Sequence, residues 1–411
     1  MQLSTVNQQP VHLAYCQNIH PAESWATAFA AIRLHAVAVR RLVAPTGAPF
    51  GLGLRLGARA AMELEQPSQL AEFAAWLADH GMYVFTVNGF PYGEFHGTRV
   101  KEQVYAPDWR TPQRLAYTLC LGRILAALLP VGGEGSISTV PGSYKAWCPT
   151  LLEAEQARFG IVHAAVELAE LSERTGRTIR LALEPEPDCL LESGAEMLAF
   201  WDGLFQAENL EVLGCMAVRP LETLEKALRG HLGFCVDTCH LAVNFADATA
   251  VLRQLLAAGV PVPKVQVSAA PKLALTVANL ASLEPLRDPV YLHQTRVRLP
   301  DGTIRRFADL PERAEIAALA ETLPPGELRT HFHVPLGWDG DSTVGTTREE
   351  LTPEFFRLLA TGEVTPHIEL ETYTFSVLPD AWRARSVEES LAAEYEWFLS
   401  QWRAATKKIG A

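Results

Sequence analysis

Eight short apolar runs, each followed by a stretch with helical spacing, constrain this chain more than any other feature of its sequence. The runs are HLAYCQNIH (12–20), GLGLRLG (51–57), MYVFTVNGFP (82–91), GSISTVPG (135–142), IRLALEPEP (179–187), LGFCVDTCH (232–240), VPKVQVSAA (262–270) and PHIELETY (366–373). Between them lie amphipathic patterns such as ESWATAFAAIRLHAVAVRRL, QRLAYTLCLGRILAALL and EQARFGIVHAAVELAELSERTG, the last ending in a glycine suited to a left-handed cap. Strand and helix alternating eight times predicts an α/β fold, a parallel sheet closed into a (β/α)8 TIM barrel. Such barrels often run to 411 residues with insertions, so 1–411 reads as a single domain. Residues 271–365 break the alternation. There VYLHQTRVRLPDGTIRRFADL reads as a hairpin around Asp301 and Gly302, and LRTHFHVPL as an extra strand, which predicts an insertion before the last barrel strand.

Composition narrows the partners. Hydrophobic residues at 48% and charged residues at 20% describe a soluble globular protein. A formal net charge of -12 argues against nucleic acid and anionic membrane surfaces and favours a small-molecule metabolite. The opening MQLSTVNQQPVHL lacks a signal-peptide pattern, and no segment reaches the roughly 18 apolar residues of a spanning helix. A cytoplasmic protein without membrane insertion is expected. Seven cysteines without CxxC pairs suit a reducing compartment.

Active sites of such barrels gather at the C-terminal ends of the strands, so the residues closing each apolar run carry the functional information. The fifth run ends in Glu184 and Glu186, the sixth in Asp237, the seventh in Gln266 followed by Ser268, and the eighth in Glu369 and Glu371. Residues two apart share one face of a strand, so an inward face would bring several carboxylates together. Carboxylates converging in a partly dry barrel mouth must be protonated, paired or bridged by a cation, and a divalent ion is the economical solution. Each residue taken alone also has a plain structural reading as a helix cap or an ion-pair partner. His240 lies three residues beyond Asp237 and reaches the same cavity. His331 and His333 in HFHVP share a face of an extended segment and suit two ligands to one ion or two contacts to one substrate. His12, His35, His80, His163 and His231 read as structural.

These motifs resemble the xylose-isomerase-like TIM barrels, which include sugar isomerases and epimerases and the endonuclease IV class. In that family a Glu on strand five, an Asp in a DTxH motif on strand six, a His on strand seven and a Glu on strand eight hold a divalent metal. The resemblance assigns Glu184, Asp237 and Glu371 to that set, with Gln266 where the family has His, a change that favours Mg²⁺ or Mn²⁺ over Zn²⁺. Co²⁺ and Zn²⁺ stay among the candidate ions. A second metal or the substrate would fall to His240, His331 and His333, with Glu186, Glu369, Asn88 and His20 nearby in the same scheme. Asn88 and Val140 stand where the nuclease branch has metal-binding histidines. More closely, YCQNIHPAESW, NGFPYGEFHG, CVDTCHLA, HFHVPL and LETYTFSVLP are similar to EboE-like metabolite-traffic proteins, which implies the processing or traffic of a small metabolite. The expected activity is isomerase- or epimerase-type proton transfer beside a carbonyl, with Glu184, Glu371 and His240 as catalytic groups. The alternatives are a barrel that binds and carries a metabolite without turning it over, and a metal-assisted phosphoester hydrolase.

Overall fold

The computed structural model describes residues 1–97, 99–322, 324–383 and 386–409. The chain opens with β1 (Gln2–Leu3) and β2 (Val11–Tyr15), then runs through β3 (Phe50–Arg55), β4 (Met82–Asn88), β5 (Glu134–Thr139), β6 (Thr178–Leu183), β7 (Leu232–Asp237) and β8 (Lys264–Val267). Five further strands follow, β9 (Pro271–Leu275), β10 (Thr295–Arg298), β11 (Ile304–Phe307), β12 (Gly326–Thr330) and β13 (Gly345–Thr346), before β14 (His367–Leu370). The main sheet has the order β1-β2-β14-β8-β7-β6-β5-β4-β3. Every neighbouring pair from β2 round to β3 is parallel, and a parallel bridge from Cys16 to Gly53 brings β2 back against β3. The sheet is therefore a closed (β/α)8 barrel, and all eight predicted runs supply its strands.

Local sequence sets the helices between the strands. Thr150 and Glu153 form a reciprocal capping box at the start of helix Leu151–Thr175, which ends at Gly176 with φ of 67°. Helix Pro112–Leu128 begins on a proline, whose missing N–H costs nothing in the first turn. Alternation along the strands then divides the residues into two sets. Leu181 and Leu183 on β6 and Phe234 and Val236 on β7 are buried against the outer helices. The other set points inward, as two contacts between non-adjacent strands establish. Lys264 Nζ on β8 lies 3.2 Å from Ser138 Oγ on β5, and His367 Nδ1 on β14 lies 2.8 Å from Ser136 Oγ. The barrel interior is thus a stack of polar layers.

The expected hairpin is present. Thr295 pairs with Phe307 and Arg298 with Ile304 around a turn in which Gly302 takes φ of 86°. Strands β9 to β13 form a second, antiparallel sheet in the order β11-β10-β12-β9-β13. Arg296 is fully buried and fastens this sheet to the loop after β6 through Asp188 Oδ1 at 2.7 Å. The inserted sheet ends at Thr346, and the following helix Pro353–Ala360 packs on helices Ala248–Ala257 and Val387–Ile409 in the outer ring.

One buried acid in that ring gives a stability prediction. Glu394 accepts a hydrogen bond from Thr372 Oγ1 at 3.0 Å, while its other oxygen has no partner among the described residues. Burial pushes its carboxyl up to about 8. Between about pH 5 and pH 8 the folded state therefore holds a proton that the unfolded chain has released, so stability falls as pH rises through this window. Glu394→Gln stays neutral and should flatten that fall, stabilising the protein by on the order of 2 kcal/mol near pH 8. Urea denaturation of both proteins near either end of the window reads the difference, and parallel slopes would contradict the assignment.

Candidate metal centre

Four chain segments deliver side chains to the C-terminal mouth of the barrel. Glu184 and Glu186 follow directly on β6, and Glu371 follows on β14. Asp237 closes β7 and caps the short helix Thr238–Val243, its Oδ1 accepting the His240 N–H at 2.9 Å. That cap swings His240 back over the mouth. The fourth segment is the extended stretch after β12, which crosses the opening and is tied down where Val334 N–H donates to Ala269 O at 2.9 Å. It brings His331 and His333 to the same cavity, whose lining also includes Asn18, Asn88, Glu184, Glu186 and Glu371.

The imidazoles are oriented by their outer nitrogens. His240 Nδ1 lies 3.0 Å from Pro185 O and His333 Nδ1 lies 3.1 Å from Glu371 O, both oxygens that can only accept. His331 Nδ1 lies 2.8 Å from Gln294 Oε1, and the Gln294 amide is fixed because its Nε2 donates to Pro187 O at 3.0 Å. Each Nδ1 therefore carries the hydrogen. Burial lowers all three pKa values, that of His333 to about 4, so the rings are neutral near pH 7 and each Nε2 is a bare lone pair. Those lone pairs face one another: His240 Nε2 is 3.1 Å from His331 Nε2, which is 3.3 Å from His333 Nε2. Bare acceptors this close, with His331 Nε2 facing both of the others, repel unless a cation lies between them. Second-layer bonds from Nδ1 to carbonyl oxygens are what orient histidine ligands in metal sites.

Carboxylates border this cluster. One ligand atom each from Asp237, His240 and His333 lie within 4.8 Å of one another, as do those of Glu186, His240 and His331, and those of Glu184, Asp237 and Glu371. Ser268 Oγ donates to Asp237 at 2.8 and 2.9 Å from its two oxygens. Burial alone would push Asp237 up, but the histidines, the His240 N–H and Ser268 more than offset it, so its pKa falls. Burial, then the neighbouring carboxylates, drive Glu184 and Glu371 well above the usual range. Glu371 Oε1 accepts from Asn18 Nδ2 at 2.5 Å and Asn88 Nδ2 at 3.0 Å, whereas Glu184 Oε2 has no partner among the described residues. Donated hydrogen bonds favour the charged form of a carboxyl, and of this coupled pair they favour it at Glu371. The donor set suits a divalent ion, and imidazole nitrogens with a carboxylate suit Zn²⁺ or Co²⁺ better than Mg²⁺.

Three residues expected at the site lie elsewhere. Gln266 is buried with its Oε1 turned down to accept from Cys235 Sγ at 2.7 Å, outside the cavity lining. Glu369 pairs with Lys264 at 2.5 Å, one layer below Glu371, because residues two apart on a strand differ in depth by roughly 6–7 Å even though they share a face. His20 turns outward, stacking on His35 with centroids 4.2 Å apart and meeting Tyr15 Oη at 3.2 Å. Sequence reasoning missed Asn18 and Gln294, and it named Ser268 at the end of the seventh run without its role as a donor to Asp237. Asn18 lies just beyond β2, so the strand-end rule applied to the first run would have reached it. Gln294 sits inside the insertion, where no periodicity marks it.

No protein-family profile matches the chain, and no curated protein matches it. Among solved structures it is similar to a D-tagatose 3-epimerase-like protein, at 11% identity and a TM-score of 0.48 over 97% of this chain and 100% of that one. It is also similar to the IOLI protein with a binding zinc atom, at 11% identity and a TM-score of 0.45 over 96% and 99%. A third is a xylose isomerase domain protein from Alicyclobacillus acidocaldarius subsp. acidocaldarius, at 14% identity and a TM-score of 0.46 over 96% and 99%. These neighbours are xylose-isomerase-like TIM barrels. Among the described residues no helix is long and apolar enough to cross a membrane.

Proposed function

We propose that this chain is a metal-dependent barrel enzyme that moves a proton beside a carbonyl of a small metabolite, as isomerases and epimerases do. The observation that carries the reading is the convergence of three neutral imidazoles through bare Nε2 atoms at 3.1 and 3.3 Å. His240, His331 and His333 would hold one ion with Asp237 or Glu186 as the acidic partner, and Glu184, Asp237 and Glu371 offer an adjoining position for a second. A bound divalent ion supplies Lewis acidity toward a carbonyl or hydroxyl oxygen. The chain's own groups do the rest. Glu184 takes or returns the proton at the neighbouring carbon, while Glu371, held by Asn18 and Asn88, keeps its position. The buried setting excludes water from that exchange. A place in EboE-like metabolite processing in the cytoplasm belongs to the same proposal, and its support is the set of motifs from YCQNIHPAESW to LETYTFSVLP.

The test uses zinc-loaded and metal-stripped protein in D₂O with a panel of hydroxy-ketones and hydroxy-aldehydes. Metal-dependent deuterium entry at the carbon beside the carbonyl is expected, slowed on the order of 100- to 10,000-fold by Glu184→Gln. Binding without exchange across the panel would favour a carrier, and phosphate release from phosphoesters would favour a hydrolase.

A further inference from the structure

Above the histidines the cavity wall changes character. Phe90, Phe95, Val100, Val104, Tyr291 and Tyr373 line it. The rings of Phe95, Tyr291 and Tyr373 form a mutual cluster with centroids 5.0, 5.1 and 5.3 Å apart. Tyr373 also lies 4.7 Å from the His333 ring, so the apolar wall begins where the imidazoles end. Two inserted pieces build it together: Val100 and Lys101 of the loop after β4 both donate backbone N–H groups to Val290 O at 2.9 Å.

The cations beside this wall are already committed. Lys101 lines the cavity, but its ammonium is held by Asp309 Oδ2 at 2.6 Å and Asp288 O at 3.3 Å. Arg55, buried behind Phe95 at 5.5 Å from its ring, is held by Gly93 O at 2.8 Å and Glu23 Oε1 at 3.4 Å. A phosphate or carboxylate tail placed here would lose its hydration and gain no charged partner. A polyol would set hydroxyl groups against Phe90, Phe95, Val100 and Val104, whose side chains have no hydrogen-bonding atom. At the floor the reverse holds. Asn18 Oδ1 is buried without a partner among the described residues, and its direction is fixed because Nδ2 donates to Glu371. It is an acceptor waiting for a hydroxyl hydrogen.

We infer that the substrate carries neighbouring oxygen functions, one of them a hydroxyl, on a flat apolar body, and bears neither a phosphate nor a remote carboxylate. The inference rests on the metal centre proposed above, and it sets this chain apart from a barrel built for sugars or sugar phosphates. The oxygens would meet the histidines and Asn18, and the apolar body would lie against Phe95, Tyr291 and Tyr373.

Titration calorimetry on the zinc-loaded protein tests it with three hydroxamates that share one chelating head and differ in the tail. Benzohydroxamate should bind about tenfold or more tightly than acetohydroxamate, because its ring buries apolar area that a methyl group does not. Phosphonoacetohydroxamate should bind no more tightly than acetohydroxamate. Phe95→Ala should narrow the ratio between the first two by about threefold or more, and Phe95→Leu, which keeps the wall apolar, should narrow it less. Equal affinities for benzohydroxamate and acetohydroxamate, or tightest binding of the phosphonate, would overturn the inference while leaving the metal centre standing. Binding of none of the three would overturn the metal centre, and the substrate class with it.

Discussion

Zn²⁺ should bind His333→Ala on the order of 100- to 1,000-fold more weakly than it binds the unaltered protein, with a similar loss for His331→Ala. Both effects follow from one geometric fact, that His331 Nε2 lies 3.1 Å from His240 Nε2 and 3.3 Å from His333 Nε2 while the three Nδ1 atoms are occupied by carbonyl oxygens. Removing one ring takes away a donor that no neighbour replaces. Truncation relieves a repulsion among facing lone pairs but leaves a small cavity, so the melting temperature of the metal-free variant should change little. What should shrink is the rise in melting temperature that added Zn²⁺ produces through mass action. A variant with undiminished zinc affinity would mean that these imidazoles bind substrate alone.

Lys264→Met should destabilise the protein by about 3–5 kcal/mol, the usual cost of breaking one side of a buried ion pair. Lys264 and Glu369 are fully buried, 2.5 Å apart, with Ser138 Oγ 3.2 Å from the ammonium. The pair fits because Gly53 lacks a side chain: a Cβ there would come within 1.7 Å of Glu369 Oε1. Losing the ammonium leaves Glu369 unpaired directly beneath Glu184 and Glu371, both of which Lys264 pulls down and Glu369 pushes up. Adding Glu369→Leu to Lys264→Met removes the orphaned charge and should recover most of the loss, a coupling that a double-mutant cycle on urea denaturation measures directly. Additive losses would show that the two side chains do not support one another.

The barrel was legible in the sequence because its signal is repeated: every barrel strand is an apolar run, and every run ends where chemistry begins. The strand-end rule found Glu184, Asp237 and Glu371, which the fold does bring together. It failed on depth. Glu369 shares a face with Glu371 yet lies a layer lower, and only the position of Lys264 on the neighbouring barrel strand β8, with Gly53 beside the carboxylate, explains why a carboxylate is tolerated there. The rule also could not say which histidines converge. His20 and His240 look alike as residues just past a strand, but a π-containing helix places His35 against the first, whereas the Asp237 cap turns the second inward. Asn18 and Gln294, which orient the carboxylate and an imidazole, carry no charge to mark them, and Gln294 also falls outside any periodic pattern. Their roles emerge from hydrogen-bond direction, which a sequence does not encode locally.

The central claim is that His240, His331 and His333 jointly hold a divalent ion, and anomalous diffraction from crystals of the zinc-loaded protein tests it most directly. Data collected on both sides of the zinc absorption edge should give one strong difference peak about 2.0–2.1 Å from all three Nε2 atoms, with Asp237 or Glu186 drawn in as the acidic ligand. A map with no peak at the barrel mouth, or with its zinc peak on surface carboxylates and none among the three imidazoles, would contradict it.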